Sequence, residues 1–278
     1  MLSFLLALVL LMVSAQSFVT MPLASRQLRM SKDLRMTSSI ASLSLEVQDL
    51  KKSTDFYVDV VGMKVLADAI SVDDGKQVQL SFESSTEDVV LELVEKPTFT
   101  DSRGDGFVGI GMYSSDATSV FGNVEQKGGR IVMELKEYGY GASLIPDEDE
   151  LKIKPVTYGT FTDPDGYLIE VEQREKDKYN GNFKKIIMNV LDLDDAIDFY
   201  TKPLGMQLLR KRANINSIPK RASFVAFMGY NKNENIAPYV ELVYNYATDK
   251  LDVGKQFSGT YATRLKRIAM LICSCLKL

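Results

Sequence analysis

The 278-residue chain contains no histidine. This removes the commonest nitrogen ligand for transition metals and leaves carboxylates as the principal side chains a cation could use. Cysteine is nearly absent as well. The two present, Cys273 and Cys275, stand two apart near the C-terminus, too close for an ordinary bridge. No disulfide framework supports the fold, and a Cys-Ser-Cys without a second pair is no zinc motif. A surplus of positive charge is also missing. Lys and Arg number 33 against 37 Asp and Glu, a formal charge of −4, which argues against a general nucleic-acid binder and turns attention to small molecules and proteins. Hydrophobic residues at 45% and charged residues at 25% are the proportions of a globular protein, and the length suffices for two domains with full cores.

Long apolar runs are lacking except at the N-terminus. Phe4 to Val13, "FLLALVLLMV", matches a signal-peptide core and is short for a bilayer span, so no stable membrane anchor is expected. Small residues follow, and either Val13-Ser14-Ala15 or Ala15-Gln16-Ser17 fits a cleavage site, the second leaving Phe18 as the new first residue. From Phe18 to Met36, Arg26, Arg29, Lys32 and Arg35 face a single acid, Asp33, among several Ser and Thr. That is transit-peptide composition. Residues 1–36 therefore resemble the two-part presequence of algae whose plastids have extra membranes. Plain secretion is the alternative.

The stretch "TFTDPDGYLIEVEQ", Thr160 to Gln173, places a tight turn before a strand. Pro164 presets φ, Asp163 and Asp165 accept local backbone hydrogen bonds, and Gly166 takes positive φ. With a period of two, Tyr167, Ile169 and Val171 share one face and Leu168, Glu170 and Glu172 the other. If both faces are covered, Glu170 needs a metal, a cation or a substrate as partner, because a buried carboxylate without one takes up a proton.

Internal repetition organises the rest. "DLKKSTDFYVDVVGMKVL" (Asp49 to Leu66) and "DLDDAIDFYTKPLGMQLL" (Asp192 to Leu209) align without a gap. Each has an Asp at the N-cap, apolar residues at helical spacing and a Gly closing the helix. A strand precedes each helix (Ile40 to Val47, Lys185 to Val190), and strand-like runs follow, among them "KQVQLSFES", "DVVLELVEK", "RASFVAFMGY" and "YVELVYNY". Between the copies "GFVGIGMY", a helix from Asp116 to Lys127, "RIVMEL" and the strand pair of the Thr160 turn make another unit. The spacing predicts an α+β fold of repeated βαβββ units. The expected domains are 37–175, with two units, and 182–262, with one unit and the start of another. The tail 263–278 is atypical.

"DLDDAIDFYTKPLGMQLLRKR", "VAFMGY", "VELVYNY" and "FTDPDGYLIEVE" resemble motifs of the vicinal-oxygen-chelate superfamily, and within it two-domain glyoxalase I (lactoylglutathione lyase) proteins. The resemblance covers most of residues 38 to 262. It implies paired units forming a cup, where a divalent metal (Ni, Co or Zn) polarises the hemithioacetal of methylglyoxal and the co-substrate glutathione. A glutamate then moves a proton between adjacent carbons to give S-lactoylglutathione.

Carried over by motif, the last-strand metal positions are Glu92, Glu170 and Glu241, with Glu170 and Glu241 as the catalytic pair. The first-strand positions are Ser42, Gly109 and Lys185, none a His or Gln. Asn245, four residues beyond Glu241, matches a glutathione-holding position, and Lys185 joins it as a candidate substrate contact. Lys96 stands at the matching place in the first copy. Glu46 and Asn189 replace the family's frequent basic residue. The second and third units should bring Gly109, Glu170, Lys185 and Glu241 together. An ammonium and a carboxylate about 4 Å apart attract by roughly 4 kcal/mol at an effective dielectric near 20, before desolvation, so Lys185 would compete with a metal unless it snorkels to water. The expectation is a glyoxalase I-like protein with catalysis weak or lost. The alternative is a non-catalytic binder of small molecules or glutathione conjugates with the same fold. An iron dioxygenase of the same fold is disfavoured, because its facial triad needs two histidines and the chain has none. After Ala262 the family's fourth unit is replaced by "TRLKRIAMLICSCLKL". Either another copy of the chain covers the incomplete sheet, or the reading frame is truncated.

Overall fold

A computed structural model describes residues 39–72, 75–82, 89–96, 104–138, 156–175, 178–179, 181–214, 223–246, 248–252 and 257–262. The targeting segment 1–36 and the tail 263–278 lie outside them. No helix among the described residues is long and apolar enough to cross a membrane.

Three βαβββ units are visible in the element order. The first is β1 (Ile40–Val47), α1 (Leu50–Asp59), β2 (Lys64–Val72), β3 (Gly75–Ser81) and β4 (Val90–Glu95). The second is β5 (Phe107–Ser114), α2 (Ala117–Asn123) with a 3₁₀ turn at Glu125–Lys127, β6 (Arg130–Tyr138), β7 (Val156–Thr162) and β8 (Leu168–Gln173). The third is β9 (Phe183–Val190), α3 (Leu193–Thr201), β10 (Gln207–Asn214), β11 (Ser223–Gly229) and β12 (Tyr239–Asn245), followed by β13 (Phe257–Ala262). In every unit the first strand runs parallel to the last: β1 with β4, β5 with β8, β9 with β12.

The sheets show which units share a surface. One has five strands in the order β13-β1-β4-β3-β2, and the other has eight in the order β10-β11-β12-β9-β5-β8-β7-β6. The second and third units are thus fused edge to edge through the antiparallel pair β5–β9. The first unit instead pairs β1 with β13. The mixed sheets and few helices are the α+β fold expected of this repeat.

Local chemistry explains the elements. Asp49, Asp116 and Asp192 each cap a helix, accepting from the backbone N–H of Lys52, of Ser119, and of Asp194 and Asp195. A cap of this kind is worth about 1 kcal/mol. Gly62 and Gly205 follow the two repeated helices at φ 82° and 70°, a conformation costly for any residue with a Cβ. Phe56 and Tyr57 on α1, and Tyr200 on α3, are buried in one core with Leu43, Leu91, Ile169, Val171 and Leu242. Tyr167, Ile169 and Val171 lie in this core as the alternation predicts, leaving Glu170 and Glu172 on the opposite face.

The Thr160 turn also joins two units. Tyr57 Oη donates to Asp163 Oδ2 at 3.0 Å, and Ser53 Oγ to Asp165 Oδ2 at 2.5 Å. Tyr167 Oη donates to the Glu46 carbonyl at 2.8 Å. The turn of the second unit is thereby bonded to the β1–α1 corner of the first.

Candidate functional site

The face of the eight-stranded sheet that bears Glu170 is built around one lysine. Lys185, on β9 and only 3% exposed, places its Nζ 2.8 Å from Glu170 Oε1 on β8 and 2.6 Å from Glu241 Oε2 on β12. It does not snorkel. The register dictates this meeting: Gly111 on β5 lies opposite both Glu170 and Lys185. A Cβ at Gly111 would stand 2.6 Å from Lys185 Cγ, so only glycine leaves room for the lysine stem. The glycine that touches Lys185 is therefore Gly111. Gly109, the motif-derived position, abuts the Leu168 backbone, one pleat away and next to a register shift between Phe107 and Gly109.

A second cation enters beside the first. Lys184 reaches Glu172 Oε2 at 2.5 Å and Glu170 Oε1 at 3.5 Å. Adjacent strand residues normally point to opposite faces. Here the β5–β9 ladder shifts between Gly111–Lys185 and Met112–Phe183, and the extra residue of this bulge turns Lys184 towards the same carboxylates. Glu172 also accepts from Arg174 Nε at 2.7 Å. From β10, Arg210 stacks 3.6 Å over the Phe227 ring and grips Glu234 with two hydrogen bonds of 2.6 and 2.9 Å. Arg212 lies 5.2 Å from the same ring. Strict alternation assigns Lys184 outward, and Arg210 and Arg212 lie on a strand whose exposed edge gives no sequence cue to the cup. The consecutive lysines of "NFKKII" were the one available signal.

The protonation states follow from this packing. Burial alone would raise the Glu170 carboxyl, but Lys185 and then Lys184 outweigh it and hold it well below the ordinary carboxylate range. Burial would lower Lys185, and Glu170 and Glu241 overcome that and raise it. Glu172 is opposed by burial and held down by Lys184 and Arg174. Glu170 and Glu172 are thus held as carboxylates and Lys185 as an ammonium, with Glu170 and Lys185 at the wall of a cavity of about 40 Å³.

The other motif-derived positions sit apart. Glu92 lies on β4 of the first unit, half-buried, accepting from Gln79 Nε2 at 3.0 Å, with burial raising its pKa. Ser42 is buried on β1 opposite Val90. Asn245 donates to Asn189 Oδ1 at 2.9 Å. The same two positions interact in every unit: Lys96 lies 3.9 Å from Glu46 in the first, and Arg174 stacks 4.7 Å over Tyr113 in the second. The amide matching the glutathione-holding position is thus bonded to the residue that replaces the family's basic group.

A divalent metal does not fit the donors present. Between Glu170 and Glu241, the two positions expected from the motif to hold a metal, the geometry already places an ammonium, and Lys184 adds like charge beside it. Among the described residues no group of three His, Cys, Asp or Glu side chains could hold a metal ion, and two carboxylates are a poor set for a nitrogen-preferring ion.

Residues 39–171 match the family model of the Glyoxalase/Bleomycin resistance protein/Dioxygenase superfamily. A lactoylglutathione lyase of Arabidopsis thaliana is 31% identical over 215 residues, 76% of this chain and 69% of that protein. A protein of the same plant named as a probable chloroplastic lactoylglutathione lyase is 29% identical over 218 residues, 76% of this chain and 55% of that protein. The crystal structure of glyoxalase I from Zea mays superposes with a TM-score of 0.68 at 24% identity, covering 87% of this chain and 80% of that one, a likeness of fold.

Proposed function

Because the chain belongs to the Glyoxalase/Bleomycin resistance protein/Dioxygenase superfamily, we propose that it is a glyoxalase I-type protein that has given up metal-dependent lyase chemistry and keeps the cup as a small-molecule binding site. Its lactoylglutathione-lyase relatives support the type of protein. One observation carries the loss of chemistry: Lys185 Nζ lies within 2.8 Å of Glu170 and 2.6 Å of Glu241. A general base must be able to accept a proton near the working pH. Glu170, held far below that range by two ammonium groups, is a weak base, and with Lys185 at the chelation point there is no place for a Lewis acid.

The test uses the full chain loaded in turn with Ni, Co and Zn. Bound metal is measured, and S-lactoylglutathione formation is followed from methylglyoxal and glutathione. The expected result is substoichiometric metal and no turnover above the uncatalysed rate. Turnover that disappears in Glu170→Gln would overturn the proposal. Plastid targeting is part of the same reading, supported by the composition of residues 18–36 and by a chloroplastic relative. A fluorescent fusion of residues 1–36 that was secreted would refute it.

A further inference from the structure

We infer that residues 230–238, the connection between β11 and β12, form a gate across the mouth of the cup, latched by Glu234 and Asn235. This rests on the reading of the cup as a binding site, whose access the gate would control. The wrapping of the sheet sets the geometry. Counted along the sheet order, β7 and β10 lie six strand spacings apart, about 29 Å in a flat sheet. Yet Tyr158 on β7 and Arg210 and Arg212 on β10 line one cavity of about 40 Å³, together with Glu170, Lys185 and Phe227. The sheet therefore closes round that cavity, and its outer strands form two facing banks.

The connection ties one bank to the other. Glu234 accepts two hydrogen bonds from Arg210 on β10, at 2.6 and 2.9 Å, while its neighbour Asn235 accepts one from Arg174 Nη1, directly after β8. Those strands are five spacings apart in the sheet. Burial raises the hydroxyls of Tyr113 and Tyr239, and Glu234 pushes both the same way, so its carboxylate also acts on β5 and β12 between the banks. Both latches lead to the cavity. Arg210 is part of its wall, stacked on Phe227, and Arg174 holds Glu172, which holds Lys184, another wall residue. The segment itself is built to open. Asn231, Lys232, Asn233 and Ile236 are exposed, and local turns give it its own shape: the Asn233 N–H donates to Asn231 Oδ1, the Asn235 N–H to Asn233 Oδ1 and the Ile236 N–H to the Asn233 carbonyl. An exposed segment with local bonds of this kind opens at less free energy than the strands it joins.

Opening can be read without a ligand. The full chain is reductively methylated with formaldehyde, and the labelling rate of Lys184 and Lys185, whose side chains are 6% and 4% exposed, is compared with that of Lys51 at 84%. Hydrogen exchange of residues 230–238 is followed in parallel. In Glu234→Ala and in Asn235→Ala, labelling of the two buried lysines and exchange of the segment should each rise about tenfold, with Lys51 and the amides of α1 unchanged. The second variant alters no charge, so a rise there assigns the effect to opening and not to a shift in lysine basicity. Unchanged labelling in Asn235→Ala, or faster exchange of the segment without faster labelling, would overturn the inference. So would an acceleration that reaches α1, since the segment would then brace the fold instead of gating the cup. Each of these results refutes the gate alone, whereas metal-dependent turnover refutes the reading beneath it and leaves the labelling rates as expected.

Discussion

Replacing Lys185 by methionine, which keeps most of the buried stem and removes the charge, isolates the central ion pairs. Each contact, at 2.8 and 2.6 Å, carries a Coulomb attraction of about 6 kcal/mol at an effective dielectric of 20. Desolvation of three buried groups offsets most of it. Removing one partner of such a pair nevertheless costs about 3–5 kcal/mol, because the remaining charge stays buried without compensation. The expected loss at pH 7 is therefore about 4 kcal/mol, equivalent to roughly 10 °C in Tm for a chain of this size. The deficit should depend on pH. In the unaltered chain the Glu170 carboxyl is depressed, so it contributes stability that is present above its unfolded pKa and lost as pH falls through the folded value. The variant lacks the ammonium that keeps Glu170 ionised. The gap between the two proteins should therefore be full at pH 7 and shrink on acidification below about pH 4.5, the ordinary range of a glutamate. Urea denaturation at several pH values reads both. A Lys185→Met chain within about 1 kcal/mol of the original at pH 7 would refute the reasoning.

Other outcomes follow from the same contacts. Gly111→Ala would bring a Cβ to 2.6 Å from Lys185 Cγ and 2.7 Å from its Cε. The lysine is pinned at its far end, so a loss of about 1–3 kcal/mol is expected from thermal denaturation. Asp163 is pushed up to about 7, mainly by burial and then by Asp165, against the pull of its hydrogen bonds. The folded state thus holds this proton between about pH 4 and 7 where the unfolded state does not, and its contribution to stability should fall as pH rises through that window. Asp163→Asn should flatten the dependence in urea titrations at pH 5 and 8. Tyr57→Phe removes the hydroxyl that meets Asp163 at 3.0 Å and should cost about 1–3 kcal/mol by equilibrium unfolding.

Much of the fold was legible because its signals are local or repeated. The Asp caps, the Gly stops and the gapless recurrence of "DFY" and "GM" placed α1 and α3, and the alternation after the Thr160 turn put Glu170 and Glu172 on the face opposite Ile169 and Val171. The meeting of Lys185 with two carboxylates was also accessible, through the family resemblance, which implies that the second and third units face one site. What stayed hidden depends on register. The bulge that turns Lys184 inward beside Lys185 is a property of the β5–β9 ladder, and no residue in "NFKKII" announces it. The choice of Gly111 over Gly109 has the same origin. Arg210 and Arg212 join the cup from β10, at the end of the eight-stranded sheet. The interaction between matched positions in each unit, Glu46 with Lys96, Tyr113 with Arg174 and Asn189 with Asn245, uses three different chemistries. A comparison of residue types does not reveal it.

The account depends most on an amine standing where a metal would have to sit, and a calorimetric titration of the full chain with Ni²⁺ addresses this directly. No saturable heat is expected from the unaltered protein, and a measurable site should emerge when Lys185 is replaced by glutamine. A tight one-to-one site in the unaltered chain that vanishes in Glu170→Gln and Glu241→Gln would contradict it.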